Sequence, residues 1–130
     1  MPSENDFRIL VIDDDGEFRR SLTKIFQKAG FQVSAASSGY EAALLLKRER
    51  YPIVVMDLRM PGKSGIELLR EIKVKSPASK VIVVTAGGDD ADHCEAMAAG
   101  AFDYLRKPLK RQEIFASARR ALESISGGVK

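Results

Sequence analysis

Residues 52–57 read PIVVMD, in which Pro52 leads into an uninterrupted apolar run that ends on a lone aspartate. A strand with one wet face would alternate apolar and polar residues. A continuous run suits a strand buried on both faces, as in a parallel sheet packed between helices. On either side of it, KVIVVT (80–85) and FRILVI (7–12) have the same character, while FQVSAA (31–36) and AFDYL (101–105) are weaker strands. The segments between them carry helical spacing. Phe18, Leu22, Ile25 and Phe26 mark a helix over 16–29, with Gly30 as its C-terminal cap. Ala42, Ala43, Leu45 and Leu46 mark one over 39–50, and Ile66, Leu68, Leu69 and Ile72 one that stops near Ser76-Pro77. GGDD (87–90) opens a helix to about Ala99, and Ile114, Phe115, Ala118, Leu122 and Ile125 form one face of a last helix from about Lys110. Five strands alternating with five helices predict an α/β fold, a doubly wound parallel sheet with helices on both faces.

The totals agree. The 130 residues suffice for one domain with a real core, and 45% of them are hydrophobic and 30% charged. The longest apolar runs fall far short of the ~20 residues of a membrane span. MPSENDFR has neither the basic start nor the apolar stretch of a signal peptide, so the expected location is cytoplasmic, with no membrane partner. The only cysteine, Cys94, allows no internal disulfide, and the only histidine, His93, excludes a site built on two imidazoles. Both read as ordinary helix residues. A net charge of +3 is compatible with acidic partners, but no recognition-helix motif is present and no direct nucleic-acid binding by this domain is expected. The domain is expected over 1–126, with 127–130 (GGVK) a tail or the start of a linker.

In doubly wound sheets ligands gather outside the carboxyl ends of the strands. The first strand ends in Asp13-Asp14-Asp15, the third in Asp57 and the fourth in Thr85, and the fifth runs into Lys107-Pro108. The second ends in Ala36-Ser37-Ser38, without charge. Carboxylates in excess over a single lysine raise their own pKa values or recruit a cation. An oxygen-only donor set without His or Cys selects a hard ion, and Mg²⁺ fits best. Such an ion beside a carboxylate, a hydroxyl and an ammonium suits phosphoryl transfer. Asp57, alone on a central strand, is the candidate nucleophile, forming an aspartyl-phosphate. Asp15 reads as a helix cap, although Asp14 has capping-box spacing to Glu17. Arg59, Lys63 and Arg106 read as a solvated basic fringe. Lys110, Arg111, Arg119 and Arg120 flank the stripe of the last helix, as a solvated face or a docking surface.

IDD (12–14), MDLRMPGKSG (56–65), VVTA (83–86) and AGAFDYLRKP (99–108), in this order and spacing, resemble the receiver domain of bacterial two-component response regulators, from about Phe7 to Ser124. The resemblance implies a flavodoxin-like three-layer sandwich with strand order 2-1-3-4-5. It implies a signalling switch, with activity limited to self-phosphorylation and self-dephosphorylation. Asp57 would take a phosphoryl group from a sensor histidine kinase or a phosphotransfer protein. Asp13 and Asp14 would hold Mg²⁺ together with Asp57 and the backbone carbonyl of Arg59. Thr85 and Lys107 would contact the phosphoryl oxygens, and Lys107-Pro108 would be a cis peptide. Tyr104 matches the family's aromatic switch, which turns inward as Thr85 moves toward the phosphate; packing alone is the competing reading for it. The fourth helix, fifth strand and fifth helix would form the output surface, toward a homodimer partner, an output domain or a target protein. Lys63 stands where the family usually has an apolar residue, and the chain is basic where many receivers are acidic.

The main alternative is a haloacid-dehalogenase-like Mg²⁺-dependent phosphatase, with Asp13 as nucleophile and Asp15 as the second acid of its Asp-x-Asp motif. Against it, no acidic pair follows Lys107 and residue 17 is Glu where that motif usually has Thr. A flavodoxin-like binding module would need a phosphate-cradling loop after the first strand, where three aspartates stand instead. GGDD (87–90) is similar to the signature of cyclic-dinucleotide synthases, but here it joins a strand to a helix rather than forming a hairpin.

Overall fold

The structure, a computed structural model, describes residues 8–60, 64–87 and 89–127, with only the backbone described for 126 and 127. Its elements run β1 (Arg8–Ile12), α1 (Gly16–Lys28), β2 (Gln32–Ala36), α2 (Gly39–Arg48), β3 (Ile53–Met56), α3 (Gly65–Lys75), β4 (Lys80–Thr85), α4 (Asp90–Ala98), β5 (Asp103–Arg106) and α5 (Arg111–Gly127). The sheet has order β2-β1-β3-β4-β5, and every neighbouring pair is parallel.

The uninterrupted apolar runs follow from what covers the sheet. Leu10, Ile12, Val54, Met56, Val81 and Val83 face one layer, packed with Ala42 of α2, Leu68, Leu69 and Ile72 of α3, and Ala96 of α4. The alternate residues Ile9, Val11, Ile53, Val55, Ile82 and Val84 face the other, against Leu22 and Phe26 of α1 and Ile114, Ala118 and Ala121 of α5. Side chains alternate faces along a strand, so two dry faces demand an apolar residue at every position. A fully buried side chain of this size is worth about 1.5–3 kcal/mol, so these two layers hold the rim above them rigid.

The termini of the elements show where local chemistry moves a boundary. Asp15, rather than Asp14, caps α1, its carboxylate accepting from the amides of Glu17 at 3.0 Å and Phe18 at 3.2 Å. The fifth strand, expected at 101–105, lies at Asp103–Arg106. The reason is the end of α4, where Gly100 has φ +109° and the amides of Gly100 and Ala101 return to the carbonyls of Met97 and Ala96. This left-handed turn uses residues 100–102 before the chain can extend. Gly127, expected in the tail, still belongs to α5. Phe7, Lys63, Gly88 and residues 128–130 lie outside the described residues. Among the described residues no helix is long and apolar enough to cross a membrane.

Candidate functional site

Register brings the acids together. Ile12 and Met56 are partners in the β1–β3 pairing, so Asp13 and Asp57 leave the sheet side by side. The Asp57 amide still donates to the Ile12 carbonyl at 3.1 Å and the Asp13 amide to the Ala36 carbonyl at 3.1 Å, which extends both ladders to the acids themselves. On the far side Thr85 pairs with Arg106, and the Lys107 amide donates to the Thr85 carbonyl at 3.0 Å. The Lys107-Pro108 peptide is cis.

From that position Lys107 Nζ donates to Asp13 Oδ2 at 2.9 Å and to Asp57 Oδ2 at 3.1 Å. It also lies 4.1 Å from the centroid of the Phe18 ring, a cation–π contact that holds the ammonium from the α1 side. The remaining carboxylate oxygens are held by the backbone, Asp57 Oδ1 by the Arg59 amide at 2.9 Å and Asp13 Oδ1 by the Asp15 amide at 3.0 Å. Both carboxylates are therefore oriented as well as buried, Asp13 being 2% and Asp57 6% exposed. Burial raises the Asp13 pKa, and this outweighs the opposing hydrogen bonds from Lys107 and Asp15. For Lys107 burial acts to lower the pKa, but the hydrogen bonds and charges of Asp13 and Asp57 outweigh it, so the net direction is up and the ammonium form is secured.

Asp14 is exposed at the mouth of the site, and carboxylate oxygens of Asp13, Asp14 and Asp57 all lie within 4.8 Å of one another. One ammonium faces three carboxylates, two of them shielded from water. The set consists of oxygens only, is in negative excess and is open to solvent on the Asp14 side, so these residues fit a Mg²⁺ ion. Thr85 is buried beside them, and its Oγ1 has no hydrogen-bond partner among the described residues. A hydroxyl left in that condition is costly unless it serves something else.

The structure thus brings Asp13, Asp14, Asp57 and Lys107 into one cluster, with Thr85 adjoining through the Lys107 backbone. Tyr104 sits apart on β5. Its hydroxyl is buried and without a partner among the described residues, and its ring stacks on His93 of α4, with centroids 4.8 Å apart and planes at 26°. Burial, then the charge of Asp92, raises its pKa. His93, expected as an ordinary helix residue, is thus a contact residue of Tyr104. The available signal was its phase, since it lies three residues before Ala96, the buried anchor of α4, and so on the same face.

The basic fringe is more structured than expected. Arg59 pairs with Asp92 at 3.1 Å and donates to the Gly87 carbonyl at 3.3 Å, while Arg106 approaches Asp90 at 3.6 Å. On α5, Arg120 and Ser117 both donate to Asp103 Oδ2, at 2.6 and 2.7 Å, so Arg120 fastens the helix to β5, and Lys110, Arg111 and Arg119 stay exposed.

Comparison with known proteins agrees with this geometry. A family model described as response regulator receiver domain matches residues 9–119. The transcriptional regulatory protein ResD of Bacillus subtilis is 32% identical over 126 residues, covering 97% of this chain and 52% of ResD. The C4-dicarboxylate transport transcriptional regulatory protein DctD of Rhizobium meliloti is 37% identical over 115 residues, covering 88% of this chain and 25% of DctD. The chain therefore spans about half of one curated relative and a quarter of the other. A CheY-like receiver domain protein from Methanospirillum hungatei superposes with a TM-score of 0.90 at 26% identity, covering 93% of this chain and 97% of that one. Nothing in these comparisons supports the phosphatase alternative.

Proposed function

The chain belongs to the response regulator receiver domain family, a phosphorylation-activated switch of two-component signalling, and from that premise we propose that Asp57 is its phosphoacceptor. The supporting observation is the geometry of Asp57. It ends the central strand, is shielded from water, and has one oxygen held by the Arg59 amide and the other by Lys107. Asp13 shares Lys107 but lies deeper, at 2% against 6% exposure, with its other oxygen turned to the Asp15 amide, which leaves Asp57 the more accessible of the two acids to an incoming phosphodonor.

In the proposed step an Asp57 carboxylate oxygen forms a bond to the phosphorus of a phosphohistidine. The P–N bond breaks, and its electron pair stays on the imidazole nitrogen, which takes a proton from solvent. Lys107 Nζ exchanges its bond to Asp57 Oδ2 for one to a phosphoryl oxygen while remaining anchored on Asp13. The Thr85 hydroxyl donates to another phosphoryl oxygen, which gives that buried group the partner it lacks. Asp13, Asp14, Asp57 and the Arg59 carbonyl are the groups that would hold Mg²⁺, whose contribution when bound is to neutralise charge on the phosphoryl oxygens.

The phosphoryl group then favours the state in which Thr85 and Lys107 reach it better, a population shift passed to Tyr104 and the α4–β5–α5 surface. The phosphodonor is a sensor histidine kinase or a phosphotransfer protein, and the domain acts where that donor is charged, in the cytoplasm. The readout is an output domain, a target protein or a second copy. The receiver unit covers residues 1–126. Its own chemistry extends no further than self-phosphorylation and self-dephosphorylation.

Intact-mass spectrometry with a small-molecule phosphodonor and Mg²⁺ tests this. The expected result is a gain of one phosphoryl group that Asp57→Asn abolishes. Asp13→Asn retains it where Mg²⁺ still binds. Loss in Asp13→Asn with retention in Asp57→Asn would transfer the nucleophile to the other acid.

A further inference from the structure

The first turn of α4 grips two elements at once through adjacent residues. Asp92 belongs to the capping box with Asp89, in which each side chain accepts from the other residue's amide. The same Asp92 carboxylate receives Arg59 at 3.1 Å, and Arg59 also reaches the Gly87 carbonyl in the loop that follows Thr85. The Arg59 amide is the group that orients Asp57 Oδ1. The next residue, His93, covers the ring of Tyr104 from the solvent side. Successive helix residues point about 100° apart, so one turn can serve two neighbours in different directions. Elsewhere α4 is lightly held. Ala96 is its buried residue, and Ala91, Cys94, Glu95, Met97 and Ala98 are exposed. A short helix with so little core contact is the kind of element that moves as a unit.

At the other end of this turn stands Tyr104 of β5. A buried hydroxyl without a partner opposes the position the ring occupies, so an attraction must hold it there. Two contacts do so: packing against the core layer that includes Val81, Val83 and Ala96, and the stack on His93, which is the one that α4 presents at the surface.

We propose that Asp92 and His93 form a clasp of positioning residues, which ties the loop after Asp57 to Tyr104 through one rigid turn of α4. A change at Asp57 that displaces Arg59 then reaches Tyr104 as a movement of α4, and the His93 stack sets how strongly the buried Tyr104 position is favoured. The coupling to phosphorylation rests on Asp57 as the phosphoacceptor. The clasp itself does not.

Aromatic NMR of the Tyr104 ring and titration with Mg²⁺ and beryllofluoride, a tetrahedral mimic of a phosphoryl group, test the two parts separately. His93→Leu keeps bulk and loses the stack, while His93→Phe keeps the stack. The expected result is that His93→Leu moves the Tyr104 resonances and changes the beryllofluoride midpoint about fivefold, at the lower end of ordinary coupling between sites. His93→Phe stays close to the wild type in both. Arg59→Ala, which keeps the Arg59 amide, also changes the midpoint, and the double variant with His93→Leu changes it less than the two effects multiplied. Unmoved Tyr104 resonances in His93→Leu overturn the clasp. Strictly multiplicative effects overturn the coupling. A wild-type protein that fails to respond to beryllofluoride overturns the phosphoacceptor assignment instead, and the Tyr104 resonances still decide the clasp.

Discussion

Lys107 divides one positive charge between two shielded carboxylates, leaving the site short of cation by construction. The shortage has a thermodynamic consequence, because an uncompensated buried charge costs folding free energy. Asp13→Asn removes one negative charge while Lys107 keeps Asp57. In metal-free buffer this variant is expected to melt higher than the wild type, by about 1–2 kcal/mol of stability. Mg²⁺ at a hundredfold excess over its dissociation constant adds about 2.7 kcal/mol to the wild type. It adds much less to Asp13→Asn. Thermal melts in chelator and in Mg²⁺ check both statements, and an unchanged midpoint of the wild type on adding Mg²⁺ contradicts them. At this scale the aspartate triplet was legible in part: Asp15, expected as a helix cap, accepts from the amides of Glu17 and Phe18, whereas Asp13 and Asp14, expected as a pair, differ in that Asp13 is buried against Lys107 and Asp14 is exposed. His93 was not legible as a contact residue. Its phase with Ala96 places it toward the sheet, but on a weakly amphipathic helix that phase alone does not separate stacking from solvation.

Between residue and fold, the loop after Asp57 is pinned by the start of α3. A Cβ built on Gly65 would collide with the Cα and the carbonyl oxygen of Leu58, so the helix enters with its backbone against the residue that follows Asp57. Backbone cannot retreat as a flexible side chain can. Gly65→Ala is therefore expected to destabilise by about 1–3 kcal/mol through overpacking and to slow phosphorylation at saturating Mg²⁺ as the loop is pushed out of place. Urea denaturation and the rate of mass gain check the pair, and a variant of wild-type stability and rate contradicts the pinning. The central strands were readable within a residue or so because burial on both faces leaves an uninterrupted apolar signal. The fifth strand was displaced because Ala101 and Phe102 are apolar for a different reason. They close the turn that Gly100 opens, the Ala101 amide bonding back to α4 and the Phe102 amide crossing to the Val81 carbonyl.

For the whole molecule, strand order decides where chemistry can happen. In the order β2-β1-β3-β4-β5 the chain reverses direction across the sheet between β1 and β3, which opens a crevice at their carboxyl ends. Asp13 and Asp57 stand on the two sides of that crevice, and β5, at the edge, delivers the lysine. Alternation of strand and helix was sufficient to predict a doubly wound sheet. The order itself came from resemblance, because periodicity records how buried a strand is and says little about its neighbours. The same limit applies to the output face, whose exposed charges on α5 do not specify a partner.

The acid of the third strand, and not that of the first, is the one we propose to carry the phosphoryl group. Trypsin separates them, since ILVIDDDGEFR (9–19) holds Asp13 and YPIVVMDLR (51–59) holds Asp57. After treatment with a small-molecule phosphodonor and Mg²⁺, borohydride reduces an acyl phosphate to the alcohol and marks the residue permanently. Homoserine is expected at position 57 in the second peptide, with the first peptide unaltered. Homoserine at position 13 with Asp57 intact would contradict the assignment.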